Sequence, residues 1–200
     1  PLSAVQVTML TDWVNEGGNL IAMRPDPQLG TLLGLTANAP VPTLSDGYVL
    51  VDTSAPPGNG IAGQTMQFHG TASLYELSGA AAIATLYWDA ATATANPAAT
   101  LRDIGANGGQ AASFAYDLAT SIVYTRQGNP AWANQERDGL APQRSDDKYY
   151  GAAAGDPQVD WVDLNKVAIP QADEQQRLLA NLIVHMTRDR TPLPRFWYFP

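Results

Sequence analysis

Residues 96–132 read NPAATLRDIGANGGQAASFAYDLATSIVYTRQGNPAW, and the fold turns on them. Ala98 to Arg102 is a short apolar run that suits a strand, and Gly105 to Gly109 is a glycine-rich turn. Ala111 to Ala115 is a second strand, a helix opens at Asp117, and a polar loop carrying Trp132 follows. This is a sheet delivering a loop, and loops held on a rigid scaffold are where function concentrates.

Upstream, Ser3 and Gln6 have the spacing of a capping box, with Ser3 as N-cap. Val7, Leu10, Trp13 and Val14 recur at helical spacing until Gly17-Gly18 ends the helix. Asn19 to Met23, NLIAM, is apolar enough for an inner, parallel strand buried on both faces. A helix leading into such a strand calls for another strand before it. Arg24-Pro25-Asp26-Pro27 is a turn, and Gln28 to Leu33 is a helical piece closed by Gly34.

From Thr36 to Gly63, prolines at 40, 42, 56 and 57 exclude long elements. Strands are expected at Tyr48 to Val51, at Thr65 to Leu77 with a break near Gly70, and at Ala82 to Trp88. Downstream, Gln127 to Val167 reads as about forty residues of loop, a length that is usually functional. Asp173 to Asp189 is the clearest helix, with Leu178, Leu179, Leu182, Ile183 and Met186 as its apolar stripe. The expected architecture is therefore α/β: a flavodoxin-like, mostly parallel sheet with helices on both faces. It forms a single domain over 1–200 with a loop- and strand-rich insertion at about 36–97. The absence of an initial methionine suggests a piece of a larger protein.

Composition excludes several functions. Charged residues are 15% of the chain and the net charge is −8, with lysine only at 148 and 166. Nucleic acid and anionic membrane surfaces need basic patches, so neither is an expected partner. No apolar run approaches the roughly 18 residues of a membrane helix. Without cysteine there is no thiol nucleophile, thiolate metal site or disulfide. The turn IGANGGQ joins strand to strand and lacks the lysine of a phosphate-binding loop. No cofactor is expected.

Two stretches, LTDWVNEGGNLIAMRPDPQLGTLLGL (10–35) and NPAATLRDIGANGGQAASFAYDL (96–118), resemble the class I glutamine amidotransferase-like fold. They are closer in kind to its non-catalytic relatives, such as the trimerisation domain of some β-galactosidases. The resemblance implies a helix, a GG-x-LI strand and a later hairpin that closes the sheet. Catalytic members carry a cysteine at a strand-to-helix elbow; this chain has no cysteine and no G-x-S-x-G elbow. The segments RQGNPAWANQERDG (126–139) and PLPRFWYFP (192–200) resemble those of large bacterial proteins to which no activity is attached.

Three sets of residues could carry chemistry. The loop residues Arg126, Gln127, Asn129, Trp132, Asn134, Gln135, Glu136 and Arg137 combine an aromatic face with amide, carboxylate and guanidinium groups. That composition suits sugars, whose C–H faces lie on aromatic rings while their hydroxyls need planar partners. The alternative is an ordered surface loop anchored by Trp132. Glu136, Asp138, Asp146, Asp147, Asp156, Asp160 and Asp163 form an acidic set. It could supply an acid and a base for glycan hydrolysis, bind calcium, or be solvated and paired with Arg126, Arg137 and Arg144. Neither Asp160-x-x-Asp163 nor Asp146-Asp147 matches a calcium loop. His69 and His185 have no triad signature, and Trp88, Trp161 and Trp197 read as packing residues. The leading expectation is a non-catalytic module of a larger extracytoplasmic bacterial protein, engaged in glycan binding or assembly with other domains of that protein. A carboxylate-dependent glycan hydrolase is the alternative.

Overall fold

A computed structural model describes residues 1–127 and 170–188. Its centre is a six-stranded sheet in the order β1-β10-β9-β8-β4-β5. These strands are β1 (Asn19–Met23), β4 (Tyr48–Val51), β5 (Met66–Gln67), β8 (Ala81–Tyr87), β9 (Ala93–Ile104) and β10 (Gly109–Phe114). Two small antiparallel pairs accompany it: β2 (Leu35–Thr36) with β7 (Glu76–Leu77), and β3 (Thr43–Ser45) with β6 (Thr71–Ser73). The helices are α1 (Ala4–Asn15), α2 (Gly30–Leu33), α3 (Leu118–Gln127) and α4 (Pro170–Thr187).

Local signals account for the element ends. The Ser3 side chain accepts from the Gln6 amide while the Gln6 side chain accepts from the Ser3 amide, closing the capping box. Gly34 adopts φ 66 after α2, a left-handed cap that a side chain would strain. The β9–β10 turn needs positive φ at Gly105 and Gly108, which explains its glycines. Gly109 has another reason: a Cβ there would lie 1.8 Å from the carbonyl oxygen of Val14, so α1 rests directly on the start of β10.

The flavodoxin-like expectation is corrected. Among the described residues only β1 and β10 run parallel; the pairs β10–β9, β9–β8, β8–β4 and β4–β5 are all antiparallel. NLIAM does form a strand at the expected residues and does pair in parallel. It is nevertheless an edge strand among the described residues, and all five of its residues are half-buried. Its apolar run comes from lying between α1 on one face and α4 on the other. Leu20 and Ala22 pack with Val14, Leu29 and Leu33, whereas Ile21 and Met23 pack with Phe114 and Leu182. Within residues 48–87, β4, β5 and β8 join the main sheet as antiparallel strands while β6 and β7 belong to the small pairs, and register shifts along β8–β9 bend the main sheet.

The larger core is built on Phe68, Phe114, Tyr116, Leu86, Leu178 and Leu182, with Phe68 and Tyr116 stacked at 4.8 Å. Helix α4 closes that face and also caps a sheet edge. Gln171 Oε1 accepts from the Gln67 amide at 3.0 Å, and Gln175 Nε2 donates to the Gln67 carbonyl at 3.0 Å. The exposed backbone of β5 is thereby satisfied by side-chain amides. No helix among the described residues is long and apolar enough to cross a membrane.

Candidate functional site

In a sheet with parallel strands, ligands favour the crevice beyond the strands' carboxyl ends. Here that position follows Met23 and Phe114. Arg24 sits there at φ 44, a strained conformation for a side chain of its size, beside Asp26, Tyr75 and Asp117. The chain itself occupies these groups. Tyr75 Oη donates to the Pro25 carbonyl at 2.7 Å. Asp26 accepts from the amides of Gln28 (2.9 Å) and Leu2 (2.8 Å), which hold its carboxyl below the usual range. Asp117 accepts from the Thr120 hydroxyl (2.7 Å) and amide (3.1 Å), with the same effect. Both carboxyls are capping groups ionised at neutral pH, the wrong state for a general acid.

A second grouping carries the residue types of a hydrolase. Asp46 Oδ1 lies 3.7 Å from His69 Nδ1, and Ser121 is adjacent. The Ser121 hydroxyl, however, accepts from the backbone amide of His69 (3.1 Å) and donates to Gln175 Oε1 (2.8 Å). Ser121 is wholly buried. It ties α3, α4 and the His69 segment together and offers no nucleophile to solvent. Among the described residues no group of three or more His, Asp or Glu could hold a metal ion.

The third surface is partly exposed. The face of β5-β4-β8 that points away from the main core carries Gln67, Tyr48 and Tyr87, which are direct cross-strand partners. Directly opposed residues share a face with Cβ atoms about 5 Å apart, so the three form one continuous row. Leu50 and Thr85, paired two residues along, make the row beneath. All five are half-buried, while their neighbours Val49, Val51, Met66 and Leu86 are buried on the opposite face. Gln67 Nε2 donates to Tyr48 Oη at 3.4 Å; that phenol then keeps its own hydrogen for a further acceptor. Two phenols and an amide, with no charge in either row, form a shelf with ring faces and hydrogen-bonding edges.

Of the eight loop residues named from sequence, the structure describes the side chain of Arg126 alone. Its guanidinium pairs with Asp173 and donates to Gln176 Oε1 at 2.9 Å, clasping α3 to α4. Gln127 ends α3, and nothing is described of its side chain. Asn129, Trp132, Asn134, Gln135, Glu136 and Arg137 lie outside the described residues, as do the acidic set from Glu136 to Asp163, Trp161 and Trp197. Trp88 is half exposed rather than packed inside. The sequence reading passed over the Gln67, Tyr48 and Tyr87 row. Its signal was the alternation in YVLV and in TLYW, where Val49, Val51 and Leu86 point inward and Tyr48, Leu50, Thr85 and Tyr87 outward.

No family model matches the chain, and no curated protein matches it. Matching solved structures include Gan42B, a GH42 β-galactosidase from G. stearothermophilus, with 15% identity, TM-score 0.42, and coverage of 57% of this chain and 17% of that one. The cold-adapted β-galactosidase of Rahnella sp. R3 matches with 20% identity and TM-score 0.44 over 68% of this chain and 22% of its own. The exo-β-1,4-mannosidase Op5Man5 of Opitutaceae bacterium strain TAV5 matches with 18% identity and TM-score 0.43 over 60% and 20%. The structural neighbours are thus glycoside hydrolases, of whose lengths the chain spans about a fifth. At these identities and TM-scores no residue role passes from them to this chain.

Proposed function

We propose that the chain is a non-catalytic glycan-binding module of a larger extracytoplasmic protein, and that the Gln67, Tyr48 and Tyr87 row is its binding shelf. The observation that supports this is the row itself: ring faces and neutral hydrogen-bonding groups on a partly exposed sheet face. Ring faces suit the C–H surface of a pyranose, and amide and phenol groups suit its hydroxyls. The lack of charge favours neutral glycans, and the spread of the row over three strands favours an extended chain over an enclosed monosaccharide. The capping roles of Asp26 and Asp117 weigh against acid–base catalysis at the carboxyl ends of the parallel strands.

Isothermal titration with a panel of neutral oligosaccharides tests this. Tyr48→Ala and Tyr87→Ala are each expected to weaken binding roughly tenfold or more, the loss of about 1.4 kcal/mol. Leu44→Ala, a core change on the opposite face, should lower Tm without this selective loss. Parent protein that binds no glycan, or binding unchanged in both tyrosine variants, would sink the proposal. The segment 126–137 is proposed as a second contact, and Trp132→Ala in the same titration tests it.

A further inference from the structure

Strand β1 leaves one edge of the sheet open. The Gly18 carbonyl accepts from the Gln110 amide, and the Arg24 amide donates to the Phe114 carbonyl. With the parallel register running from Asn19↔Gln110 to Met23↔Phe114, the backbone groups of Leu20 and Ala22 also turn to β10. Those of Asn19, Ile21 and Met23 turn the other way. No strand among the described residues lies on that side, and no described residue bonds to these three amides and carbonyls. Asn19 Oδ1 is likewise buried without a partner among the described residues. All five residues of β1 are half-buried, Leu20 and Ala22 toward α1, Ile21 and Met23 toward α4. Backbone groups withdrawn from water need partners. Three donors and three acceptors repeating every second residue, about 6.6 Å apart, match an extended backbone. Free edges are ordinarily blunted by lysine, proline or a bulge, and NLIAM has none of these.

The path of the chain into α1 says which segment fits. Asp26 Oδ2 accepts from the Leu2 amide at 2.8 Å, and Gln28 Nε2 donates to the Leu2 carbonyl at 2.7 Å. Leu2 is thereby fixed beside the loop that follows β1, at that strand's carboxyl end. From there α1 runs back along β1 and closes on Gly17 and Gly18, at its amino end. On the open edge, a strand parallel to β1 ends level with Leu2. An antiparallel one would end level with Asn19, about 16 Å away. The other side of β1 is taken by β10. A strand on the open edge, α1 and β1 then make one β-α-β unit, the helical connection that parallel neighbours require. We infer that the residues leading into Pro1 form a further strand of the sheet, paired in parallel with β1 along Asn19, Ile21 and Met23.

Such a strand lies between the layers that cover β1, so its sequence should be apolar on both faces. About five or six residues rich in valine, isoleucine or leucine are expected within a few positions of Pro1. A charged or proline-rich sequence there, or none, overturns the inference. In the intact polypeptide, residue-resolved amide hydrogen exchange should find Ile21 and Met23 protected to within about tenfold of Leu20 and Ala22, which β10 already holds. Free exchange at Ile21 and Met23 beside protected Leu20 and Ala22 overturns it. Amide nuclear Overhauser contacts identify the occupant, and they should link Ile21 and Met23 to residues before Pro1. Contacts to residues after Thr187 would give the edge to the chain's own tail. Contacts that vanish on dilution would give it to a second copy. Either result overturns the inference.

Discussion

Asp117 stands between the end of β10 and the first turn of α3, with both carboxylate oxygens held by Thr120. The hydroxyl bond contributes most to lowering its pKa below 3.8, and backbone amides add to it. Asp26, Asp52 and Asp89 are lowered in the same way, Asp52 and Asp89 by hydrogen bonds donated from residues just after them, Asp26 by the Gln28 amide and then by that of Leu2. A group whose folded pKa lies below its unfolded pKa contributes stability that is present above the unfolded value and lost as pH falls through the folded one. Thermal melts should therefore show Tm falling once pH drops below about 4. Asp117→Asn keeps a capping oxygen but loses the charge. It should lie below the parent at pH 7, with the gap closing at pH values below the ordinary carboxylate pKa. A gap that persists unchanged at low pH would mean that the carboxylate is not what stabilises this turn. These caps could be expected from the sequence at Ser3, whose partner stands three residues on. The Asp26 contact with Leu2, across 24 residues of chain, had no local signature.

Among elements, the β9–β10 hairpin, α3, α4 and β4 were legible because each has a strong local period and glycine or capping punctuation. The pairing direction was not. Apolarity on both faces of β1 records what packs on those faces, and a parallel inner strand and a sandwiched edge strand leave the same trace. Trp13 was similarly ambiguous: its spacing from Val7 and Leu10 fits the inward line, but it belongs to the outward one. Two contacts between elements make separate predictions. Gly109→Ala drives a methyl into the Val14 carbonyl and should cost about 3 kcal/mol, the upper part of the overpacking range, in chemical denaturation. Gln175→Leu strands the Gln67 carbonyl and the Ser121 hydroxyl in a buried site. Leaving two such groups unsatisfied should cost about 2–4 kcal/mol, although the substituted side chain is more apolar. If Gln175→Leu proved neutral, the α4 amides would not be what secures the β5 edge.

At the scale of the molecule, the sheet's outer face is divided. Toward β1 and β10 it is covered by α1 and α2 through Val14, Leu29 and Leu33; toward β8, β4 and β5 it carries the tyrosine row instead. The two halves should therefore respond separately. Leu33→Ala removes a buried side chain from the helix-covered half and should cost about 2–5 kcal/mol in chemical denaturation. Its affinity for neutral oligosaccharide, measured well below the unfolding transition, should match the parent's, because the tyrosine row lies on β8, β4 and β5. Tyr87→Ala should do the reverse, weakening binding while Tm changes little. A Leu33→Ala variant that loses binding as strongly as Tyr87→Ala would show that the row is not a site separate from the helix-covered half.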